Sequence, residues 1–166
     1  TERRNAQIAL SEAHASLEKS VDERYRVLAE ISADYSFVNR KEDGEWVREW
    51  ITGAVQRITG QNDAQIQDPD HWLTLVHPDE HALAQTHIER VRAGQPSEIE
   101  LRLITPQGEK RAIYRNEVPM RDPETDEVVR IYGVVSDITE RKQLELQHMV
   151  HVRQQVAVAQ LGQTAL

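Results

Sequence analysis

The stretch that most limits what this chain can fold into is Arg130 to Leu144, RIYGVVSDITERKQL. Ile131, Gly133 and Val135 alternate with Tyr132 and Val134. Both faces of the run are apolar, as in a strand with neighbours on either side. Asp137 and Thr139 then supply short polar side chains able to cap a helix. Glu140, Arg141 and Lys142 open a solvated helix, and the next Gly or Pro is Gly162. A buried strand joined without slack to a protruding helix is a mechanical coupling, because displacement in the core is passed to the helix.

The chain before this stretch falls into recognisable pieces. Residues 1–31 contain no Gly or Pro and are rich in Ala, Glu, Leu, Arg and Gln, which predicts a helix. Leu10, His14, Leu17, Val21, Arg24, Leu28 and Ile31 follow a heptad spacing, flawed by His14 and Arg24. Such a seam fits either a helix packed on its own domain or a dimeric coiled coil. Thr1-Glu2-Arg3-Arg4 repeats Thr139-Glu140-Arg141-Lys142 in kind, each at the head of a charged helix. As a true repeat, it would place residue 1 directly after the last strand of a preceding module of the same type.

Residues 34–40 and 46–51 read as strands around the Glu42-Asp43-Gly44-Glu45 turn, where Asp-Gly is a strong hairpin signal. Thr52 is a suitable N-cap, and Gly60 a suitable end, for a helix over 53–59. Asp68-Pro69-Asp70 starts a short helix carrying Trp72, Leu73, Leu75 and Val76. His77-Pro78-Asp79-Glu80 opens a longer one with Leu83, Ile88 and Val91 as its apolar stripe and Gly94 as its end. Ile99, Leu101 and Leu103 alternate with Glu98, Glu100 and Arg102, a half-buried strand. Pro106-Gln107-Gly108-Glu109 turns it into a partner strand over 111–121, and a polar loop over 122–127 leads to the final strand. The prediction is an α+β fold, a five-stranded antiparallel sheet with helices on one face, plus long N- and C-terminal linker helices. The divisions are a linker helix over 1–31, the domain over 32–139 and a second linker helix over 140–166.

Residues 22–145 resemble a PAS domain. The likeness is carried by the order of strand pair, small helices, the His77-Pro78-Asp79-Glu80 corner, hairpin, polar loop and the terminal Asp137-Ile138-Thr139 motif. One departure is Ala112, where many domains of this subgroup carry a Trp after the hairpin Gly. Facing inward, this Ala would leave extra cavity; facing outward, it would expose nothing of interest. The later part of the exit helix, Val156 to Leu166, resembles the leading helix of GAF domains. The resemblance implies a ligand cavity between sheet and helices, with wall candidates Phe37, Ile58, Trp72, Leu83, Ile88, Leu101, Leu103, Tyr114 and Tyr132. The plain alternative is that these residues simply fill the core. It also implies a signal-coupling role for Asp137, Ile138 and Thr139, with Asp137 paired to an arginine.

Composition narrows the chemistry. Apolar residues make up 39%, charged residues 29%, and the formal net charge is −8. With cations scattered among carboxylates, there is no basic face to neutralise phosphates, so nucleic acid is not an expected partner. There are no cysteines, which excludes a cysteinyl-flavin adduct and Cys-ligated zinc and is compatible with a cytoplasmic setting. No run of 18 apolar residues is present to span a membrane. His71, His77, His81 and His87 cluster in sequence, and His81 and His87 are the candidates for a metal or haem ligand. The default for them is a surface or capping role. His151 lacks the acid and Pro of a phosphoacceptor motif, and no nucleophile motif or Gly-rich phosphate loop appears.

No catalytic residue and no cofactor is therefore expected. The expected function is a PAS sensor or signal-relay domain of a bacterial histidine kinase or cyclic-dinucleotide enzyme, coupling a ligand or neighbouring domain to the exit helix in a homodimer. Adjacent PAS and GAF or output domains would belong to the parent chain. The alternatives are a ligand-free dimerisation or spacer module, and a haem- or metal-binding domain built on the His71–His87 cluster.

Overall fold

The Asp43-Gly44 dipeptide turns the chain back on itself with both residues at positive φ, 50° and 81°, as Asp-Gly hairpins favour. This hairpin opens the fold seen in the computed structural model, which describes residues 1–164. Helix α1 (Glu2–Ser32) leads into β1 (Tyr35–Glu42) and β2 (Glu45–Gly53). Two short helices follow, α2 (Val55–Thr59) and α3 (Asp63–Gln67), then 3-10 turns at His71–Leu75 and Pro78–Glu80, and α4 (His81–Arg92). The chain ends with β3 (Ser97–Ile104), β4 (Lys110–Arg121), β5 (Val128–Asp137) and α5 (Thr139–Thr164).

The five strands form one antiparallel sheet in the order β2-β1-β5-β4-β3. The double-sided apolar run is thus the central strand, as its pattern predicts. Its Ile131 and Val135 face inward with Phe37 of β1, Ile113 of β4 and Leu101 and Leu103 of β3. Helices α2 to α4 cover this inner face with Ile58, Ile66, Ala84 and Ile88. Helix α1 lies against the other face. There Asp22 accepts a hydrogen bond from the Tyr132 hydroxyl, and Arg26 lies 4.5 Å from the Trp50 ring.

Several local expectations need correction. Thr52 does not cap a helix. β2 runs on to Gly53, whose φ of +99° no L side chain tolerates easily, and α2 starts one residue past Ala54 without a side-chain cap. Helix α3 is fixed by a reciprocal Asn62–Gln65 capping box inside a region read only as helix and loop. The His77-Pro78 corner forms a 3-10 turn before α4, with His77 Nδ1 accepting from the Asp79 amide at 3.2 Å. The buried stripe of α4 is Ala84, His87, Ile88 and Val91. Leu83, one helical step away, is 52% exposed.

The α1 seam is only partly placed. His14, Leu17 and Val21 face Met120, Pro123 and Tyr132 of the same chain across a groove of about 210 Å³. Leu10 is exposed. The side chains of Leu28 and Ile31, and all of Ala165 and Leu166, lie outside what is described.

Phe37 packs directly over Gly133, its partner across β1 and β5. A Cβ there would fall inside the van der Waals envelope of the ring. Gly133→Ala is expected to destabilise the fold by about 1–3 kcal/mol through overpacking. Urea unfolding measures this, and an unchanged midpoint would show that the ring is free to move aside.

Candidate functional site

β5 ends at Asp137 and α5 begins at Thr139, so only Ile138 separates sheet from helix. Ile138 is buried, and its amide donates to the Ala112 carbonyl at 2.8 Å, extending the β4–β5 pairing to the helix itself. Asp137 Oδ1 accepts from the Thr139 amide at 3.0 Å and from its hydroxyl at 2.5 Å. Asp137 Oδ2 accepts from Arg111 Nη1 at 2.8 Å. Burial opposes the charge on Asp137, but the bonds from Thr139 and Arg111 outweigh it and hold the carboxyl below the usual range. Thr139 Oγ1 also accepts from the Ala112 amide at 3.0 Å.

Residues not singled out in the sequence complete the joint. Asp34, at the start of β1, accepts from the Asp137 amide at 2.6 Å, and its own amide donates to the Val135 carbonyl at 3.0 Å. Glu100 of β3 accepts from Arg141 and Lys142 of α5, each at 2.5 Å. The end of β5 is therefore tied to β1 and β4, and the first turn of α5 to β3.

Among the described residues, the inner face is largely filled. Phe37, Ile58, Trp72, Ile88, Leu101 and Leu103 do meet in one core cluster. Three of the proposed wall residues do not join them. Leu83 points to solvent. Tyr114 lies on the outer face, where its hydroxyl donates to Glu98 at 2.7 Å, because the inward set of β4 is Ile113, Arg115 and Glu117. Tyr132 also faces outward, against Asp22.

The space that remains inside is filled by charge. Arg115 is 3% exposed and its guanidinium stacks 3.9 Å from the Trp72 ring centre and 4.6 Å from that of Phe37. Its Nε donates to Glu117, itself 4% exposed. Burial favours the neutral acid at Glu117, but the nearby Arg115 and His87 overcome it and pull the pKa down to about 2. Arg48 also sits 4.7 Å from the Phe37 ring and donates to Asn39 Oδ1 at 2.6 Å and the Ile66 carbonyl at 3.2 Å. Burial, reinforced by repulsion from Arg115, lowers its pKa to about 10. The free volume beside Arg115 is about 10 Å³. That is room for about one water, against the roughly 300 Å³ of a small ligand pocket.

The histidines are dispersed. His81 Nε2 donates to the Val76 carbonyl at 2.7 Å. His87 points into the core, with Nδ1 2.9 Å from Ser97 Oγ and Nε2 3.7 Å from Glu117, too long for a hydrogen bond. Among the described residues, no three His, Cys, Asp or Glu side chains converge as metal ligands, and no helix is long and apolar enough to cross a membrane. A larger hollow, about 420 Å³, lies outside the sheet between α5 and the β3–β4 hairpin, lined in part by Ala112, Lys110, Gln143 and Leu146. Ala112 thus faces outward, and the missing indole leaves space under α5, not in the core.

Because Arg115 and Glu117 are buried as a pair, removing one strands the other. Arg115→Ala is expected to cost about 3–5 kcal/mol, and Arg115→Met with Glu117→Leu much less. Denaturant unfolding compares them, and equal losses would mean that the pair is not what fills the core.

The geometry meets its relatives in two comparisons. The PAS fold family matches residues 48–135, more than half of the chain. No curated protein matches. Among solved structures, a sensory box histidine kinase/response regulator from Burkholderia thailandensis E264 superposes with a TM-score of 0.57 at 21% identity, covering 78% of this chain and 96% of that one. The N-terminal domain of a diguanylate cyclase with PAS/PAC sensor from Marinobacter aquaeolei gives 0.55 at 18%, covering 64% and 98%. A domain assigned to a light and redox sensing histidine kinase from Haloarcula marismortui gives 0.53 at 22%, covering 69% and 98%. These likenesses concern the fold, and with the family match and the β2-β1-β5-β4-β3 sheet they lead to one conclusion: the chain belongs to the PAS fold family.

Proposed function

We propose that this domain is a non-catalytic signal relay of a multidomain bacterial signalling protein, whose output is a histidine kinase or a cyclic-dinucleotide enzyme. The observation that carries the reading is the joint at Asp137, Ile138 and Thr139, where a central strand becomes a 26-residue helix across one intervening residue. Rotation of β5 within the sheet, or of α5 outside it, has no loop in which to dissipate. The signal would come from a neighbouring domain and not from an interior small molecule, because Arg115 and Glu117 occupy the place where a ligand would sit. A two-state bias of sheet and helix, set from one end and read at the other, meets the thermodynamic requirement of a relay.

The reading includes a homodimer. Leu146, Met149, Val150, Val156 and Val158 of α5 are exposed large apolar side chains, more than a lone solvated helix needs. Pairing of α5, or of α1, between two copies would bury them. An adjacent PAS module ahead of α1 and a GAF-type module continuing from α5 are the neighbours that the helix sequences favour. A domain that only spaces its neighbours is the second reading, favoured by the same filled core.

Native mass spectrometry at micromolar concentration tests both elements together. The expected mass is that of two chains with nothing added. A monomer would contradict the dimeric relay, and a retained small molecule would contradict the self-filled interior.

A further inference from the structure

The docked head of α5 provides a template for a second surface. Three of its positions bond to the sheet and two border the hollow beside it. Thr139 bonds to Ala112, Arg141 and Lys142 close on Glu100, and Gln143 and Leu146 line the outer hollow over Ala112. The head of α1 presents the same kinds of side chain at the same spacing: Thr1, Arg3, Arg4, Asn5 and Ile8. Two positions that differ have no partner on the sheet, although Glu140, also without one, is matched by Glu2. Leu144, exposed, corresponds to Ala6, and Glu145, which meets only its own helix, corresponds to Gln7.

Among the described residues, no side-chain hydrogen bond or ion pair joins the α1 head to the sheet. Residues 1–8 are all exposed, and Arg3 and Arg4 make no ion pair among the described residues. Glu18, which lies 3.9 Å from Arg130 of β5, is ten residues beyond Ile8, or about 15 Å along the helix axis. Gln7 lines a hollow with Glu124 of the β4–β5 loop, so the head carries no bond to its own sheet without being remote from the domain.

We propose that Thr1 to Ile8 is a docking surface for the outer edge of a second PAS-type sheet, with Arg3 and Arg4 closing on a carboxylate placed as Glu100 is here. The proposal rests on the reading of α5 as a docked relay helix, and it gives the preceding neighbour a defined contact. Charge complementarity selects that partner: two adjacent cations and an aliphatic side chain one turn on need an acid beside a shallow apolar hollow.

The chain has no cysteine, so introduced pairs can be cross-linked cleanly. In the single chain, Glu100→Cys with Lys142→Cys reports whether α5 is docked. In a tandem in which residue 138 of a leading copy joins residue 1 of a following one, Glu100→Cys in the leading copy is paired with Arg4→Cys in the following copy. Glu2→Cys, about 200° away around the helix, is the control. With a short bis-maleimide, the Arg4 position is expected to cross-link at least about tenfold faster than the Glu2 position. Equal rates, or none, beside efficient cross-linking in the single chain would overturn the docking surface and leave the relay standing. Failure of the single-chain pair would overturn both.

Discussion

Each oxygen of the Asp137 carboxylate holds a different part of the molecule. Oδ1 closes the start of α5 through Thr139, and Oδ2 grips Arg111 of β4. A helix cap alone could swivel, because it fixes only the first turn. A salt bridge to the sheet alone would leave the chain free to leave in any direction. Held on both sides, the carboxylate defines the angle at which the helix departs. Asp34, immediately before β1, and Glu100 on β3 add restraints from two further strands or their ends, so that four of the five strands bear on one corner.

The interior supplies the stiffness that such a corner requires. Arg115 fills the space beside Phe37 and Trp72, held by Glu117 and stacked on the two aromatic rings. Burying these charges is costly, and the attraction repays the cost only when every partner is in place. A sheet packed in this way resists local deformation. On the proposed relay, force applied at one edge would be passed on instead of being absorbed in a cavity.

The architecture was largely legible in the sequence because its signals are local and periodic. The β5 run, the Asp43-Gly44 turn and the alternation of Ile99, Leu101 and Leu103 each carry their own evidence. Asp137 and Thr139 were legible as a cap, since capping chemistry acts over two or three residues. Their long-range partners were not. Asp34 and Asp137 are 103 residues apart, and Arg111 and Asp137 are 26 apart. The filled chamber escaped for a related reason. In Ile113-Tyr114-Arg115-Asn116-Glu117 the charged residues occupy the face that alternation assigns to the core, while the tyrosine takes the solvent face. A reading that follows apolar bulk chooses Tyr114 and Tyr132 as wall residues. The only local clue was that Arg115 and Glu117 share the parity of Ile113. Leu83 was misplaced by one helical step for want of a way to fix the rotation of α4.

The central claim is that the joint is rigid, and distance measurements between spin labels test it most directly. Labels replacing Glu98 on β3 and Gln147 on α5, both exposed, report the angle between sheet and helix in a chain with no competing cysteine. The account predicts one narrow distance distribution that broadens severalfold when Asp137→Ala removes both grips at once. A broad distribution in the unaltered chain, or one that Asp137→Ala leaves unchanged, would contradict it.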